Sequence, residues 1–246
     1  EAAHQYSRVM EHLRAALSDH TAAGYAYRVD YRLRPHGRAG GLAQSVATAT
    51  AYYRREAAMW EVQALLKLRP VAGNLRVGRR FIVGLEDLLR ARRDPQAVWA
   101  SIRHLRARAV RCQGMTANED VKSGVGGIRD VEFLVQGLQL VHLHRHGELL
   151  AGNTLEALER LQRAGVLETA AATALGQDYL FMRRVEHHLQ LLEDRQVHVL
   201  PHNAAQLAAL ARRALGAGAS AADLRDRIHA AQARIRAAYE AHLPPA

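Results

Sequence analysis

The chain has 246 residues, about half of them hydrophobic, and carries a formal net charge of +10 with one cysteine, Cys112. That length suits one large domain or two small ones, and a lone cysteine excludes an intrachain disulfide or a cysteine zinc cluster. No stretch reaches the ~18 uninterrupted apolar residues of a membrane span. The positive charge is nearly all arginine spread along the chain, with Lys67 and Lys122 the only lysines. Such spreading reads as solvated helix faces rather than as one nucleic-acid footprint. The first residues, "EAAHQYSRVM", lack the shape of a signal peptide. The expectation is therefore a cytoplasmic protein with no nucleic-acid partner and no membrane association.

In chain order, residues 5–18 predict an amphipathic helix with Val9, Leu13, Ala16 and Leu17 on one side. Residues 25–34 alternate apolar and charged in "YRVDYRLR", the pattern of a strand, and Pro35 with the Gly-rich "HGRAGG" ends it. Ser45 is placed to cap a helix running to about residue 69, followed by Pro70. Beyond Pro70 the strand signals fade. "RVGRRFIVGLEDLLRAR" and "PQAVWASIRHLRARAVR" are helical, with Pro95 in a first turn. "TANEDVKSGVGG" is a loop. "IRDVEFLVQGLQLVHLHRH" is a helix apolar around most of its circumference. Asn153 caps and Gly165 stops the next helix. A long helix pattern starts at Glu168, Pro201 ends the segment after it, and "SAADLRDRIHAAQARIRAAYEAHL" is a last helix. The sum is a small mixed α/β piece, residues 1–74, followed by an α-helical bundle, residues 75–246.

Four places could carry chemistry. On a strand, Asp30, Arg32 and Arg34 would share one face, with Val29, Tyr31 and Leu33 on the other. A carboxylate can hold Mg²⁺ and guanidinium groups suit phosphate oxygens; an exposed face neutralising itself by Asp–Arg pairing fits the spacing equally. In "DVKSGVGGIRDVEF", Gly124, Gly126 and Gly127 precede a helix start, where backbone N–H groups can face an anion, and Lys122 adds a compact ammonium. This is not a P-loop, which needs Gly-Lys-Ser/Thr opening the helix, nor a dinucleotide fingerprint, since no strand precedes it and Arg129 stands where the last glycine should be. A flexible turn with Asp130 favouring the helix N-terminus is the plainer account. Glu132 and Gln136 stack at i, i+4 and interrupt an apolar surface, as catalytic groups or as a buried polar network between domains. His142, His144, His146, His187 and His188 lack the acid of a zinc helix and read as cationic side chains near helix ends.

Four segments in order, "YRVDYRLRPHGRAGGLAQS", "WEVQALLKLRPVAGN", "DVKSGVGGIRDVEFLVQGLQL" and "YLFMRRVEHHLQLLEDRQVHVLP", resemble the glutamine-synthetase adenylyltransferase family from about residue 5 to residue 210. The resemblance implies a mostly α chain: the C-terminal remnant of a polymerase-β-like α+β nucleotidyltransferase domain, then a helical domain of the adenylyltransferase/uridylyltransferase type. It implies Mg²⁺, with ATP or phosphate and ADP as substrates, and glutamine synthetase as partner, with a PII-type signal protein as a further one. By position, Asp30 matches the last metal-binding carboxylate of the family, and Arg32 and Arg34 the arginines that follow it. Lys122, Gly126 and Gly127 become candidates for phosphate, and Arg129, Asp130, Glu132 and Gln136 for the domain junction. The family's Ser-Asp-x-Asp segment is absent from this sequence. A fragment of one half of the two-fold family architecture is expected, incomplete as a catalyst and closer to the first, adenylyl-removing half. A non-catalytic helical module that docks glutamine synthetase or a PII-type protein is the alternative.

Overall fold

The computed structural model describes residues 2–22, 24–27, 29–111, 119–193 and 197–243. Arg28 and Cys112 lie outside the described residues. The chain divides into two compact units, Glu1–Ala91 and Arg92–Ala246.

The first unit contains α1 (Ala2–Ser18), α2 (Val46–Arg55), α3 (Met59–Leu65) and α4 (Leu75–Arg90). Ser45 caps α2 as its sequence position predicts, its hydroxyl accepting from the Thr48 N–H at 3.0 Å. The single helix expected through residue 69 is two. The chain leaves α2 at Glu56 and restarts at Met59, where Glu61 Oε2 accepts the Ala58 N–H at 2.9 Å and Oε1 accepts the Tyr52 hydroxyl at 2.8 Å. Those two bonds turn the polypeptide where Ala57 and Ala58 alone favour helix. α4 packs on α2, with Gly84 allowing approach to Thr50. Leu85 and Leu89 are buried from α4, and Val62 and Leu65 from α3. The expected inner face of α1 is open: Val9 is 61% exposed and Leu13 is exposed as well.

Among the described residues of 25–34, the expected strand is not formed. Strand backbone needs a neighbour to take its N–H and C=O groups, and here the segment bonds locally. Arg34 N–H donates to Arg32 O at 2.9 Å, Gly37 N–H to Arg34 O at 2.9 Å, and Tyr27 N–H to Leu17 O at 2.7 Å. Among the described residues there is no strand, only isolated bridges at Thr21–Gly24 and Asp120–Val199.

The second unit is the helical bundle: α5 (Pro95–Arg111), α6 (Ile128–His142), α7 (Thr154–Arg163), α8 (Thr169–Glu193), α9 (Ala204–Leu215) and α10 (Ala221–Ala241). α6 is its centre, packed by α5, α7, α8 and α10, so Val131, Leu134, Val135 and Leu138 are all buried. Each such aliphatic side chain contributes about 1.5–3 kcal/mol on leaving water. Gly137 allows the closest approach: a Cβ there would lie 2.5 Å from the Trp99 ring of α5. Asn153 caps α7 through the Leu155 and Glu156 N–H groups, and Gly165, at φ 69°, stops it. Ser220 caps α10 reciprocally with Asp223.

Candidate functional site

In the first unit, the local bonding of residues 29–37 brings Asp30 and Arg32 together. The Arg32 guanidinium reaches Asp30 Oδ2 through Nη2 at 2.6 Å and Oδ1 through Nε at 2.9 Å, and the Arg32 N–H adds a bond to Oδ1 at 2.9 Å. Asp30, by hydrogen bonding and by its charge, raises the Arg32 pKa. Both groups are exposed. Arg34 turns inward instead: Nε and Nη2 donate to Gly40 O at 3.1 and 3.0 Å, and Nη1 donates to Tyr31 O. It closes the loop 31–40 from inside, so Arg32 and Arg34 do not act as one pair of claws.

Magnesium binds through several oxygen ligands in near-octahedral geometry. Asp30 offers one carboxylate, with both oxygens engaged by Arg32. No group of three or more potential metal ligands occurs among the described residues. This set does not fit a magnesium ion by itself.

The second constellation is built around the loop 119–127. Asp120 is buried and its Oδ1 accepts the Lys122 and Ser123 N–H groups at 2.8 and 2.7 Å. Gly124 N–H donates to Asp120 O, Gly127 N–H to Gly124 O, Ile128 N–H to Val121 O and Arg129 N–H to Lys122 O. Gly126, at φ 73°, donates to Asp130 Oδ2 at 2.7 Å. The N–H groups of residues 121–124 and 126–130 are thus used by the chain's own oxygens, so the loop and the first turn of α6 form a folded clasp. Antiparallel pairing with 197–200 fixes the loop's outer edge: Val121 N–H donates to His198 O and Leu200 N–H to Glu119 O.

Two ion clusters anchor this clasp. Asp130 is gripped by Arg106 of α5, whose guanidinium lies 4.7 Å from the centre of the buried Tyr239 ring. Burial pushes the Tyr239 phenol up to about 12. Glu186 of α8, only 3% exposed, faces three basic side chains. Arg183 Nη1 donates to Oε2 at 2.7 Å, while Lys122 Nζ and His198 Nδ1 each lie 3.2 Å from Oε1. The last two are close charge contacts without hydrogen-bond alignment at Oε1. Burial works to raise the Glu186 carboxyl, but His198, Lys122 and Arg183 outweigh it and hold the group at about 2.

Arg129 is half-buried and Gln136 buried. Glu132 accepts the Tyr179 hydroxyl at 3.2 Å. Lys122, Gly126, Gly127 and Asp130 therefore meet in one clasp, while Glu132 joins Tyr179 of α8. Of the histidines, His144 contacts Val141 O and His146 contacts Glu148.

Sequence spacing did not single out Asp120, Arg106, Glu186 or His198. Glu186 has a detectable signal: it lies four residues after Met182 and three before Leu189, an acid on the buried stripe of α8. Asp178 repeats the signal between Leu175 and Met182, and it is held at 2.6 and 2.8 Å by Arg234 of α10.

Residues 96–243 match the family described as GlnD PII-uridylyltransferase, and residues 1–83 match glutamate-ammonia ligase adenylyltransferase. The chain belongs to the glutamine-synthetase adenylyltransferase family. Relatives named bifunctional glutamine synthetase adenylyltransferase/adenylyl-removing enzyme include those of Streptomyces avermitilis, Stenotrophomonas maltophilia and Xanthobacter autotrophicus. The first is 38% identical over 84% of this chain and 21% of the relative. The second is 36% identical over 98% of this chain and 26% of the relative. The third is 41% identical over 84% of this chain and 21% of the relative. The chain thus spans about a fifth to a quarter of the length of these adenylyltransferase relatives.

Proposed function

We propose that this chain is part of a nucleotidyltransferase that controls glutamine synthetase by adding AMP to, or removing it from, a tyrosine, with removal favoured. The observation that carries this reading is the likeness to curated adenylyltransferase/adenylyl-removing enzymes along nearly the whole chain. In removal, an oxygen of inorganic phosphate attacks the phosphorus of the tyrosyl-AMP ester. A new P–O bond forms, the tyrosine oxygen leaves and takes a proton, and ADP is released. In addition, the tyrosine oxygen attacks the α-phosphorus of ATP, loses its proton, and pyrophosphate departs. Both directions concentrate negative charge on phosphoryl oxygens, which guanidinium groups stabilise.

Within this reading Asp30 and Arg32 serve the nucleotide side, and Arg34 holds the loop that carries them. Asp30 would give one carboxylate to a magnesium set completed by other parts of a longer polypeptide, and would first have to loosen its grip on Arg32. The clasp at 119–127 shapes the helical unit: Lys122 serves Glu186, and Gly126 and Gly127 permit the tight turn.

The test uses a longer enzyme containing this chain. Adenylylated glutamine synthetase is incubated with phosphate, and unmodified glutamine synthetase with ATP. Release of ADP that disappears in Asp30→Ala is the expected result. Release of pyrophosphate from ATP, dependent on Asp30, would reverse the favoured direction. Neither product, or products indifferent to Asp30, would defeat the reading.

A further inference from the structure

In the first unit, α2 and α4 meet through small residues. A Cβ at Gly84 would lie 3.3 Å from the Thr50 hydroxyl, and Ala47 and Ala51 are exposed beside that contact. Because these residues are small, an open groove of about 460 Å³ is left along the two helices. Val83 stands at its side, 64% exposed. Three arginines line the groove, Arg54 and Arg55 from α2 and Arg80 from α4, and among the described residues that line it there is no carboxylate. Arg54 is occupied: Nε donates to Gly84 O at 3.1 Å and Nη2 reaches Asp87 at 3.4 Å, tying α2 to α4. The Arg55 and Arg80 side chains are exposed, and neither makes a hydrogen bond or ion pair among the described residues. The negative end of the α2 dipole accounts for a cation at residue 55. It does not account for Arg80, which stands in the interior of α4.

We infer that this groove docks an acidic amphipathic helix of a partner protein. A ridge of aliphatic side chains lies on the surface of Ala47, Ala51 and Val83, and carboxylates beside that ridge meet Arg55 and Arg80. Guanidinium groups match carboxylates in forked, bidentate pairs. The floor is made of methyl groups, and no aromatic ring lines it among the described residues, so it lacks the stacking platform of a surface for single-stranded nucleic acid. A second copy of this chain is disfavoured by charge, since each copy carries +10. A further layer of the same polypeptide would be held mainly by broad apolar burial. Two unanswered arginines beside a narrow methyl floor suit a partner that arrives by charge steering. The 10 residues of α2 extend about 15 Å, the length of about three turns of a docked helix. Nothing in this docking depends on AMP chemistry.

The test is fluorescence anisotropy with the 246-residue chain. The probe is a labelled helical peptide of about four turns, with leucine along one face and glutamate on both flanks. A scrambled peptide of the same composition, a lysine-for-glutamate counterpart and a single-stranded DNA oligomer serve as comparisons. The acidic amphipathic peptide is expected to bind at least about tenfold more tightly than any of the three. Arg55→Glu combined with Arg80→Glu should weaken it at least about tenfold. Ala51→Trp, which fills the floor, should weaken it as well. Circular dichroism verifies the fold of each variant. Equal binding of the scrambled peptide, or tighter binding of DNA, would overturn the inference in favour of a general polyanion surface. Binding that survives the double reversal, or no binding of the acidic peptide to the wild-type chain, would overturn it outright. A longer enzyme containing this chain should bind the same peptide. If the longer enzyme fails to bind while the chain alone does, the groove belongs to a segment of its own polypeptide and the partner is overturned.

Discussion

Arg106 holds Asp130 at two points, Nε and Nη2 each 2.7 Å from a different carboxylate oxygen, and Asp130 in turn accepts the Gly126 N–H at 2.7 Å. One carboxylate therefore joins α5, the start of α6 and the loop before it. Asp130→Asn leaves the guanidinium without its counter-charge and weakens the loop bond. Breaking such a pair costs about 3 kcal/mol, the lower end of the usual range because Arg106 keeps partial contact with water. Urea unfolding of the chain should show this loss, and a midpoint within error of wild type would contradict the clasp.

Gly126 is required on two counts. Its φ of 73° is unfavourable for other residues, and a Cβ would come within 2.2 Å of the Gln232 carbonyl oxygen of α10. Gly126→Ala is expected to destabilise by about 2–4 kcal/mol, strain and overpacking together. Gly165 provides the comparison: its φ is 69° but nothing lies within 4 Å of an added Cβ. Gly165→Ala should cost only about 1–2 kcal/mol. Thermal melts of the two variants should separate clearly.

Glu186 gives the chain an acid-sensitive element. Above about pH 4.5 the carboxylate is charged in both folded and unfolded chains, and its cluster with Lys122, Arg183 and His198 contributes in full. Between about 4.5 and about 2 the unfolded chain takes up the proton while the folded one resists it, so stability falls. Below about 2 both states are protonated and the contribution is gone. Glu186→Gln should flatten this part of the stability-against-pH curve. An acid limb unchanged by the substitution would show that the cluster contributes nothing there.

Gln139 is buried on α6 and its Nε2 donates to Leu149 O at 2.7 Å and Ala151 O at 2.9 Å, fastening the turn between α6 and α7. Gln139→Leu keeps the volume and removes both donors. Leaving two carbonyls short of partners should cost about 2–4 kcal/mol, and amide exchange in residues 147–153 should accelerate first. Exchange rates unchanged there would place the effect elsewhere.

Helical periodicity carried the second unit well. Pro95, Asn153 and Gly165 fall where first-turn, capping and stopping residues belong, because those signals act within one helical turn. α6 is enclosed as its continuous apolar circumference demanded. The failures are tertiary. "YRVDYRLR" alternates as a strand does, but alternation specifies a strand only where a neighbour takes its backbone bonds. The break between α2 and α3 depends on Tyr52 and Glu61 meeting nine residues apart, beyond any local propensity. At the candidate site, spacing left Asp30 open between metal ligand and ion-pair partner, and the structure shows the pairing with Arg32. Lys122 stood out by being lysine in an arginine-rich chain, yet its partner Glu186 lies 64 residues away, where only folding brings the two together.

The packing of Trp99 onto Gly137 has a practical consequence. Each compact unit holds one of the chain's two tryptophans: Trp60 in the first, partly open to solvent, and Trp99 in the second, almost fully enclosed. An enclosed indole emits at shorter wavelength and is shielded from acrylamide, whereas a solvent-facing one is quenched. The chain therefore carries a spectroscopic label for each unit, and loss of order in the helical bundle can be read separately from events at the other indole.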